Sequence, residues 1–190
     1  MENRSQSIKA YEHIKRVSKK NNINFYNSLN QCSQIELKVS KKKFHEFLIK
    51  LIISQQISTE AASKIWLRVE SLLKKNKKIK DRDLKSCGLS KQKINYISGI
   101  LDNKNLMLIK KSDLIKMNSK ELSSYLLSIK GVGDWTVGMT LIFFLGKEDV
   151  WLNNDHGVKK GVEKFNIHED TIMEYSPFLS YLCLYLWKNL

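Results

Sequence analysis

Along most of this chain, apolar residues recur at the three- and four-residue spacing of amphipathic α-helices. The first stripe of this kind consists of Phe44, Phe47, Leu48, Leu51 and Ile52. A second stripe runs through residues 61–73, and the polar stretch between the two, residues 55–59, predicts a break. Alternating patterns typical of β-strands are rare, and the chain has one proline. These patterns predict an all-α protein.

Residues that favour helix ends divide the rest of the chain. Helix starts are predicted at Ser90, at Asn118 with Glu121, at Asp134, at Asn154 or Asp155, and at Ser176-Pro177. Helix stops are predicted at Gly88 and Gly146. Within these bounds, the positions expected to face the core include Ile94, Ile97, Leu101, Leu122, Leu126, Val137, Val158 and Phe165.

The composition allows a real core and favours a polyanionic partner. The chain has 190 residues, 42% of them apolar, which suits one compact unit or two small lobes. Its net charge of +14 favours nucleic acid over a membrane surface. Only four of the 33 basic residues are arginine, and residues 74–80 form a basic connector. An AT-rich genome also produces such lysine richness, which lowers the weight of the charge as evidence, but nucleic acid stays the favoured partner.

Three widely spaced cysteines, Cys32, Cys87 and Cys183, lack the paired spacing of a zinc or iron–sulfur site. We expect reduced core thiols and no metal. The N-terminus has no apolar signal region, and no apolar run approaches the roughly 18 residues of a membrane span. These features predict a soluble, cytoplasmic protein without a membrane partner, associated with the nucleoid if the source is bacterial. The oligomeric state stays open, with a monomer as the default expectation.

The segment LLSIKGVGDWT, residues 126–136, places Gly131, Val132 and Gly133 between two helix-like stretches. Glycines permit positive φ and close approach of a phosphate to the backbone, and the following helix N-terminus adds partial positive charge. The segment is therefore a helix–hairpin–helix signature for binding phosphate. The alternative is a tight turn between two core helices, which explains any isolated Gly-x-Gly.

Three motifs stand in a fixed order: ISQQIST at residues 53–59, the hairpin, and WLNNDHGVKK at residues 151–160. Together they resemble the helix–hairpin–helix DNA glycosylase superfamily, in particular its 3-methyladenine DNA glycosylase II branch. The resemblance covers roughly residue 44 to the C-terminus. It implies one glycosylase domain over residues 1–190, built as a two-lobed helical bundle with the active site in the cleft between lobes. We expect no counterpart of the extra N-terminal domain that larger members have.

The resemblance also implies roles for single residues. Asp155 takes the place of the catalytic aspartate, and Gln56 that of the wedge that fills the gap left by a flipped nucleotide. The hairpin of Gly131, Val132 and Gly133 takes the place of the DNA-phosphate contact. Positions that line the base pocket in relatives are occupied here by Trp135, Trp187, Met139 and His156.

The chemistry is consistent with these roles. A damaged base inside a duplex is unreachable, so it must be extruded and stacked on aromatic faces. Cleavage of its N-glycosidic bond makes the sugar oxocarbenium-like, and a carboxylate such as Asp155 stabilises that charge. Many relatives have a second acid where this chain has Asn154. An alkylated purine carries its own positive charge and leaves without protonation, which suits a site with one carboxylate.

The resemblance also bears on lyase chemistry and cofactors. Bifunctional relatives carry a lysine nucleophile two residues after the second hairpin glycine, where this chain has Trp135. We therefore expect no lyase activity. The four-cysteine cluster of iron–sulfur members is absent from the sequence. We expect no cofactor, although a monovalent cation at the hairpin carbonyls, as in some relatives, stays open.

The leading hypothesis is a monofunctional DNA glycosylase that removes alkylated, 3-methyladenine-type bases from double-stranded DNA in base-excision repair. One alternative is excision of oxidised or deaminated bases, because Met139 and His156 stand where some relatives have tyrosines. Another is a non-catalytic helix–hairpin–helix module, which has no reason to place a carboxylate near phosphates. Taken singly, Asp155 also suits a helix N-cap, and Trp135 a core aromatic.

Overall fold

The computed structural model describes the backbone of residues 2–75 and 78–190, and the side chains of these ranges from Ser5 onward. Within these ranges the protein consists of α-helices and one 3₁₀ helix and has no β-strand, which confirms the all-α prediction. In chain order the helices are α1 (Glu2–Asn21), α2 (Ile23–Asn30), α3 (Phe44–Ser54), α4 (Thr59–Lys74), α5 (Asp81–Ser86), α6 (Lys91–Asp102), α7 (Lys104–Leu108), α8 (Lys111–Lys116), α9 (Ser119–Leu127), α10 (Asp134–Phe143), α11 (His156–Phe165), α12 (Glu169–Ile172), the 3₁₀ helix (Met173–Tyr175) and α13 (Leu179–Lys188).

The chain divides into two compact units. Residues 2–39 and 140–190 form the terminal unit, and residues 40–139 form the central unit. The boundary between residues 139 and 140 falls within α10. The predicted position of the active site in a cleft between lobes stays a prediction.

The terminal unit is built around buried tyrosines. The ring centroid of Tyr11 in α1 lies 5.8 Å from that of Tyr185 in α13, and both rings are buried. The Tyr185 hydroxyl accepts a hydrogen bond from the Ile35 backbone N–H at 3.1 Å, so this buried polar group is satisfied. Helices α1 and α2 precede the first predicted stripe, and sequence reasoning had placed no element there. Asn22 caps α2 by accepting from the Phe25 N–H at 2.9 Å.

Helix α13 packs closely on α11 because a glycine lies at the contact. A Cβ on Gly161 would approach the Leu186 Cβ to 2.8 Å, closer than packed carbon atoms come. The predicted start of α13 at Ser176-Pro177 is wrong, since the helix begins at Leu179. The predicted start of α11 is confirmed, with Asp155 rather than Asn154 as the N-cap.

The central unit surrounds α3, which packs against α4, α6 and α7. The predicted break is confirmed, because α3 ends at Ser54 and α4 begins at Thr59 after the Ser58 N-cap. Helix α6 begins after Ser90 as predicted, but Ile100 is buried where Leu101 had been expected and Leu101 is half-buried. In the predicted basic connector, residues 76 and 77 lie outside the described residues.

The helix ends around the hairpin follow the predicted signals with one exception. Asn118 and Glu121 form the predicted capping box of α9. Asp134 is not a cap, because α10 already begins there and the Gly133 carbonyl accepts the Val137 N–H at 3.0 Å. The predicted stops adopt left-handed backbone at Gly88 and at Gly146, which have φ of 91° and 77°.

Two further expectations concern the cysteines and the membrane. Cys87 and Cys183 are buried core thiols as predicted, whereas Cys32 is only half-buried. None of the helices in the described residues has both the length and the apolar character that crossing a membrane requires.

Candidate active site

Asp155 occupies the N-cap of α11, and its carboxylate is fixed there by two donors. The Val158 backbone N–H donates to Asp155 Oδ1 at 2.8 Å, as expected of an N-cap side chain. The indole Nε1–H of Trp187 donates to the same oxygen at 2.7 Å. The helix N-terminus carries partial positive charge, which attracts an acidic side chain to this place. The N-cap and catalytic interpretations of Asp155 are therefore compatible.

Trp187 reaches Asp155 from the last turn of α13. Its ring is stacked with that of Phe143, with centroids 6.0 Å apart and planes 24° apart. The structure thus pairs two residues that the sequence separates by 32 positions. Trp187 contacts the carboxylate itself, and its predicted role in a base pocket stays a prediction.

Gly157 provides the space in which the Trp187 indole lies. A Cβ at this position would come within 2.6 Å of Trp187 Cδ1 and 3.2 Å of Asp155 Oδ1. Any larger side chain would displace the indole from the carboxylate. The sequence motif contained Gly157, but no role had been predicted for it. A glycine in the first turn of a helix, where it weakens the helix, was the available signal.

Cys183 lies in the core of the same unit, and burial raises the pKa of its thiol to about 12. The nearby Asp155 charge adds to this rise. Because the thiolate is the nucleophilic form, Cys183 is inert at neutral pH. Asn154 and His156, on either side of Asp155, are exposed.

The hairpin between α9 and α10 places its two glycines in different situations. Gly131 has a φ of 90°, and a Cβ there would lie 2.4 Å from Tyr96 Cδ2. Gly133 is exposed, has no left-handed φ, and a Cβ would meet no atom within 4 Å. Of the two properties that glycine permits, Gly131 thus uses the positive φ, whereas Gly133 leaves open space at the backbone. Val132 between them is buried and anchors the hairpin in the core.

The turn that carries Gln56 lies between α3 and α4. Gln56 is exposed and adopts a left-handed φ of 58°, which is uncommon for a residue other than glycine. Its neighbour Gln55 donates from Nε2 to the Gly131 carbonyl at 3.0 Å and to Thr136 Oγ1 at 3.2 Å. Gln55 thus ties the turn directly to the hairpin.

Lys93 holds the same turn from the side of α6. Its Nζ donates to the backbone carbonyls of Ile53 and Gln55, both at 2.7 Å. Burial lowers the pKa of Lys93 from the ordinary lysine value. Sequence reasoning missed both Gln55 and Lys93, because neither contact has a local signature.

Trp135 and Met139 lie one turn apart on α10, and both are half-buried. They belong to the central unit together with the hairpin and Gln56. Asp155, His156 and Trp187 belong to the terminal unit.

The positive charge of the chain is concentrated in the central unit. Residues 40–139 contain 21 of the 33 basic residues and 9 of the 19 acidic ones, a net charge of +12 out of +14. The unit that carries the hairpin therefore also carries nearly all of the excess charge that a polyanion would meet. Among the described residues, no three His, Cys, Asp or Glu side chains are grouped as metal ligands would be.

Comparison with known proteins places these features in a family context. The family model described as HhH-GPD superfamily base excision DNA repair protein matches residues 49–175. The DNA-3-methyladenine glycosylase 1 of Schizosaccharomyces pombe is 30% identical over 169 residues, which cover 80% of this chain and 74% of that protein.

Solved structures of similar fold agree with this match. The 3-methyladenine DNA glycosylase of Schizosaccharomyces pombe in complex with abasic DNA has a TM-score of 0.78 at 26% identity, over 95% of each chain. The DNA-3-methyladenine glycosidase of Bacillus halodurans has a TM-score of 0.70 at 26% identity, over 93% of this chain and 88% of that chain.

The contact of Gly157 with Trp187 predicts a stability difference between two helical glycines. Gly157→Ala should lower the free energy of unfolding by about 1 to 3 kcal/mol, because the methyl group overpacks the indole. Gly99→Ala is the matched control, since a Cβ there meets nothing within 4 Å. It should be neutral or stabilising by up to about 1 kcal/mol, because alanine favours the helix. Urea unfolding followed by circular dichroism measures both, and equal stability of the two variants would contradict the packing.

Proposed function

Because the chain belongs to the HhH-GPD superfamily of base excision DNA repair proteins, we propose that it is a monofunctional DNA glycosylase for alkylated bases. It hydrolyses the N-glycosidic bond of 3-methyladenine-type bases in double-stranded DNA. The observation that carries the proposal is the carboxylate of Asp155, which is fixed at a helix N-terminus by the Val158 N–H and the Trp187 indole.

Asp155 acts on the sugar. As the N-glycosidic bond breaks, positive charge develops on the ring oxygen and C1′, and a nearby carboxylate stabilises it. The same carboxylate orients or deprotonates the attacking water. An anion that is already in position needs no rearrangement at the moment of reaction, which is why the two donors on Oδ1 support this role.

The substrate class follows from the charge of the leaving group. Glycosidases ordinarily use a second carboxyl to protonate the leaving group. The residue before Asp155 is Asn154, an amide that cannot serve as an acid at neutral pH. A base alkylated at a ring nitrogen already carries a positive charge and leaves as a neutral molecule. A site with one carboxylate therefore favours cationic bases over neutral lesions.

The central unit binds the DNA. Its net charge of +12 suits the phosphate backbone, and Gly133 is open to the approach of a phosphate. Gln56, exposed on a left-handed turn, fills the gap that the extruded nucleotide leaves. Trp135 stacks on the extruded base, helped by Met139 one turn further along α10.

The reaction ends at the abasic site. Schiff-base chemistry needs an amine nucleophile, and Trp135 stands at the position where the resemblance places that lysine. Lys93 has a lowered pKa, but its Nζ donates hydrogen bonds to two backbone carbonyls, so we do not assign it as the nucleophile. The cytoplasmic location expected from the sequence, at the nucleoid if the source is bacterial, is part of this proposal.

The charge of Asp155 can be removed while the side chain still caps the N-terminus of α11. Asp155→Asn keeps an Oδ1 that accepts from Val158 and Trp187, so the protein should fold. Release of 3-methyladenine from a duplex should fall by two or more orders of magnitude, roughly the loss of about 3 kcal/mol of electrostatic stabilisation. Single-turnover base release measures this rate, and omitting alkali from the assay should leave the product strand intact.

The control for this experiment is Glu163→Gln, which removes an exposed carboxylate two turns further along α11. It should release the base at the wild-type rate. A folded Asp155→Asn protein with the wild-type rate would refute the catalytic role of Asp155. Strand cleavage before alkali would refute the absence of lyase activity.

Alanine substitutions at the two hairpin glycines should separate an effect on stability from an effect on DNA binding. Gly133→Ala should leave stability unchanged but weaken duplex binding on the order of tenfold, because the new Cβ stands where a phosphate approaches. Gly131→Ala should instead lose stability, since it combines a φ of 90° with the Tyr96 contact. Fluorescence anisotropy at one fixed salt concentration, with unfolding curves for both variants, gives the comparison. Unchanged affinity of Gly133→Ala would remove this residue from the DNA interface.

A further inference from the structure

The turn that presents Gln56 has an unusual support. Gln56 itself adopts a left-handed φ of 58°, a conformation that a glutamine keeps only when its surroundings hold it. The residues on either side of Gln56 lie at the end of α3 and before the Ser58 cap of α4. Contacts with α6 and with the hairpin connect this turn to other elements of the central unit.

Lys93 makes the first of these contacts. Its Nζ donates to the carbonyls of Ile53 and Gln55, which belong to the last turn of α3 and the residue after it. Carbonyls at a helix C-terminus lack intrahelical partners and carry partial negative charge, so an ammonium group suits them.

The position of Lys93 within α6 is unfavourable for a lysine, which indicates that its side chain is kept there for the contact with the turn. Lys93 is the third residue of α6, where the partial positive charge of the helix N-terminus disfavours a lysine. Burial disfavours it further, because an ammonium group loses water. Its neighbour Lys91 stays exposed, as lysines in a first turn ordinarily do. Two charge-assisted hydrogen bonds to the turn offset both costs.

Gln55 and Tyr96 connect the same turn to the hairpin. Gln55 donates from Nε2 to the Gly131 carbonyl and to the buried Thr136 hydroxyl. Tyr96, one turn after Lys93 on α6, lies against Gly131. Helix α6 therefore contacts the turn through Lys93 and the hairpin through Tyr96.

From this arrangement we infer that Lys93 and Gln55 are positioning residues for Gln56, which set the wedge in register with the phosphate-binding hairpin. The inference rests on the proposed function, in which Gln56 fills the gap behind the extruded nucleotide. A phosphate bound at the hairpin then fixes where Gln56 enters the duplex. Neither Lys93 nor Gln55 needs to touch the reacting atoms.

The test is a double-mutant cycle with Lys93→Met and Gln56→Ala. Methionine keeps much of the length of the lysine side chain and removes both donors. Single-turnover release of 3-methyladenine from a fully paired duplex should fall about tenfold in Lys93→Met. In the Gln56→Ala background the same change should have little further effect, because residues that act through one another are not additive. Lys91→Met, which removes a charge from the same helix turn, should behave as wild type in both backgrounds.

A second measurement follows opening of the duplex without cleavage of the N-glycosidic bond. The emission of 2-aminopurine rises when the base leaves the stack, so this base, placed opposite an abasic analogue in a duplex, reports opening of the site. Lys93→Met should slow the rise relative to wild type, with duplex affinity nearly unchanged. If wild type opens the duplex but releases no base, the proposed glycosylase function fails while the positioning role is still measured. If wild type does not open the duplex, the positioning inference fails.

Three results in the cycle would overturn the inference. They are an undiminished effect of Lys93→Met in the Gln56→Ala background, a folded Lys93→Met protein with the wild-type rate, and equal losses in Lys93→Met and Lys91→Met. If Lys93→Met does not fold, Gln55→Met takes its place, since it removes the donor to Gly131 and leaves Lys93 intact. Gln55→Met should then have little further effect on base release in the Gln56→Ala background, and an undiminished effect would overturn the inference.

Discussion

Two N–H groups, one from the Val158 backbone and one from the Trp187 indole, end on the same oxygen of Asp155. Both donors are neutral, so they fix the carboxylate without cancelling its charge as a lysine or arginine would. The packing of the terminal unit allows both donors to reach the Asp155 carboxylate. Trp187 reaches the carboxylate only because Gly157 leaves room for its ring, and α13 comes close to α11 at Gly161. A fixed and uncancelled negative charge is what a developing oxocarbenium ion needs.

In the proposed mechanism, the central unit has a different task, which is to bind the DNA and open the duplex. Its net charge of +12 provides attraction that does not depend on sequence, and in the proposed mechanism the hairpin provides a defined place for phosphate. Attraction alone does not say where a side chain enters the duplex. Hydrogen bonds from Lys93 and Gln55 link the turn of Gln56 to α6 and to the hairpin, and we infer that DNA binding and duplex opening use this one set of contacts. A near-neutral terminal unit, with the remaining +2, carries the catalytic carboxylate in the proposed mechanism.

Much of the helical fold was predictable because its signals are local. Ser90, the Asn118–Glu121 capping box and Asp155 mark helix starts within a few residues of themselves, and each was confirmed. Apart from the Asp155 cap, the contacts of the candidate site join residues distant in the chain and were not predictable. Asp155 and Trp187 are 32 positions apart, Gln55 and Gly131 are 76 apart, and Lys93 resembles any of the other basic residues. The resemblance pointed to Asp155 and Gln56, but only the structure reveals what holds them.

In the proposed mechanism, one carboxylate without a protonating partner cleaves bases that are already cationic. A single measurement tests it: single-turnover release from one duplex sequence carrying either 3-methyladenine or the neutral lesions hypoxanthine and 8-oxoguanine. We expect the cationic base to leave at least a hundredfold faster, corresponding to roughly 3 kcal/mol in the barrier, at equal duplex affinity. Release of a neutral lesion at the rate of 3-methyladenine, or faster, would contradict it and would require an acid that protonates the leaving base.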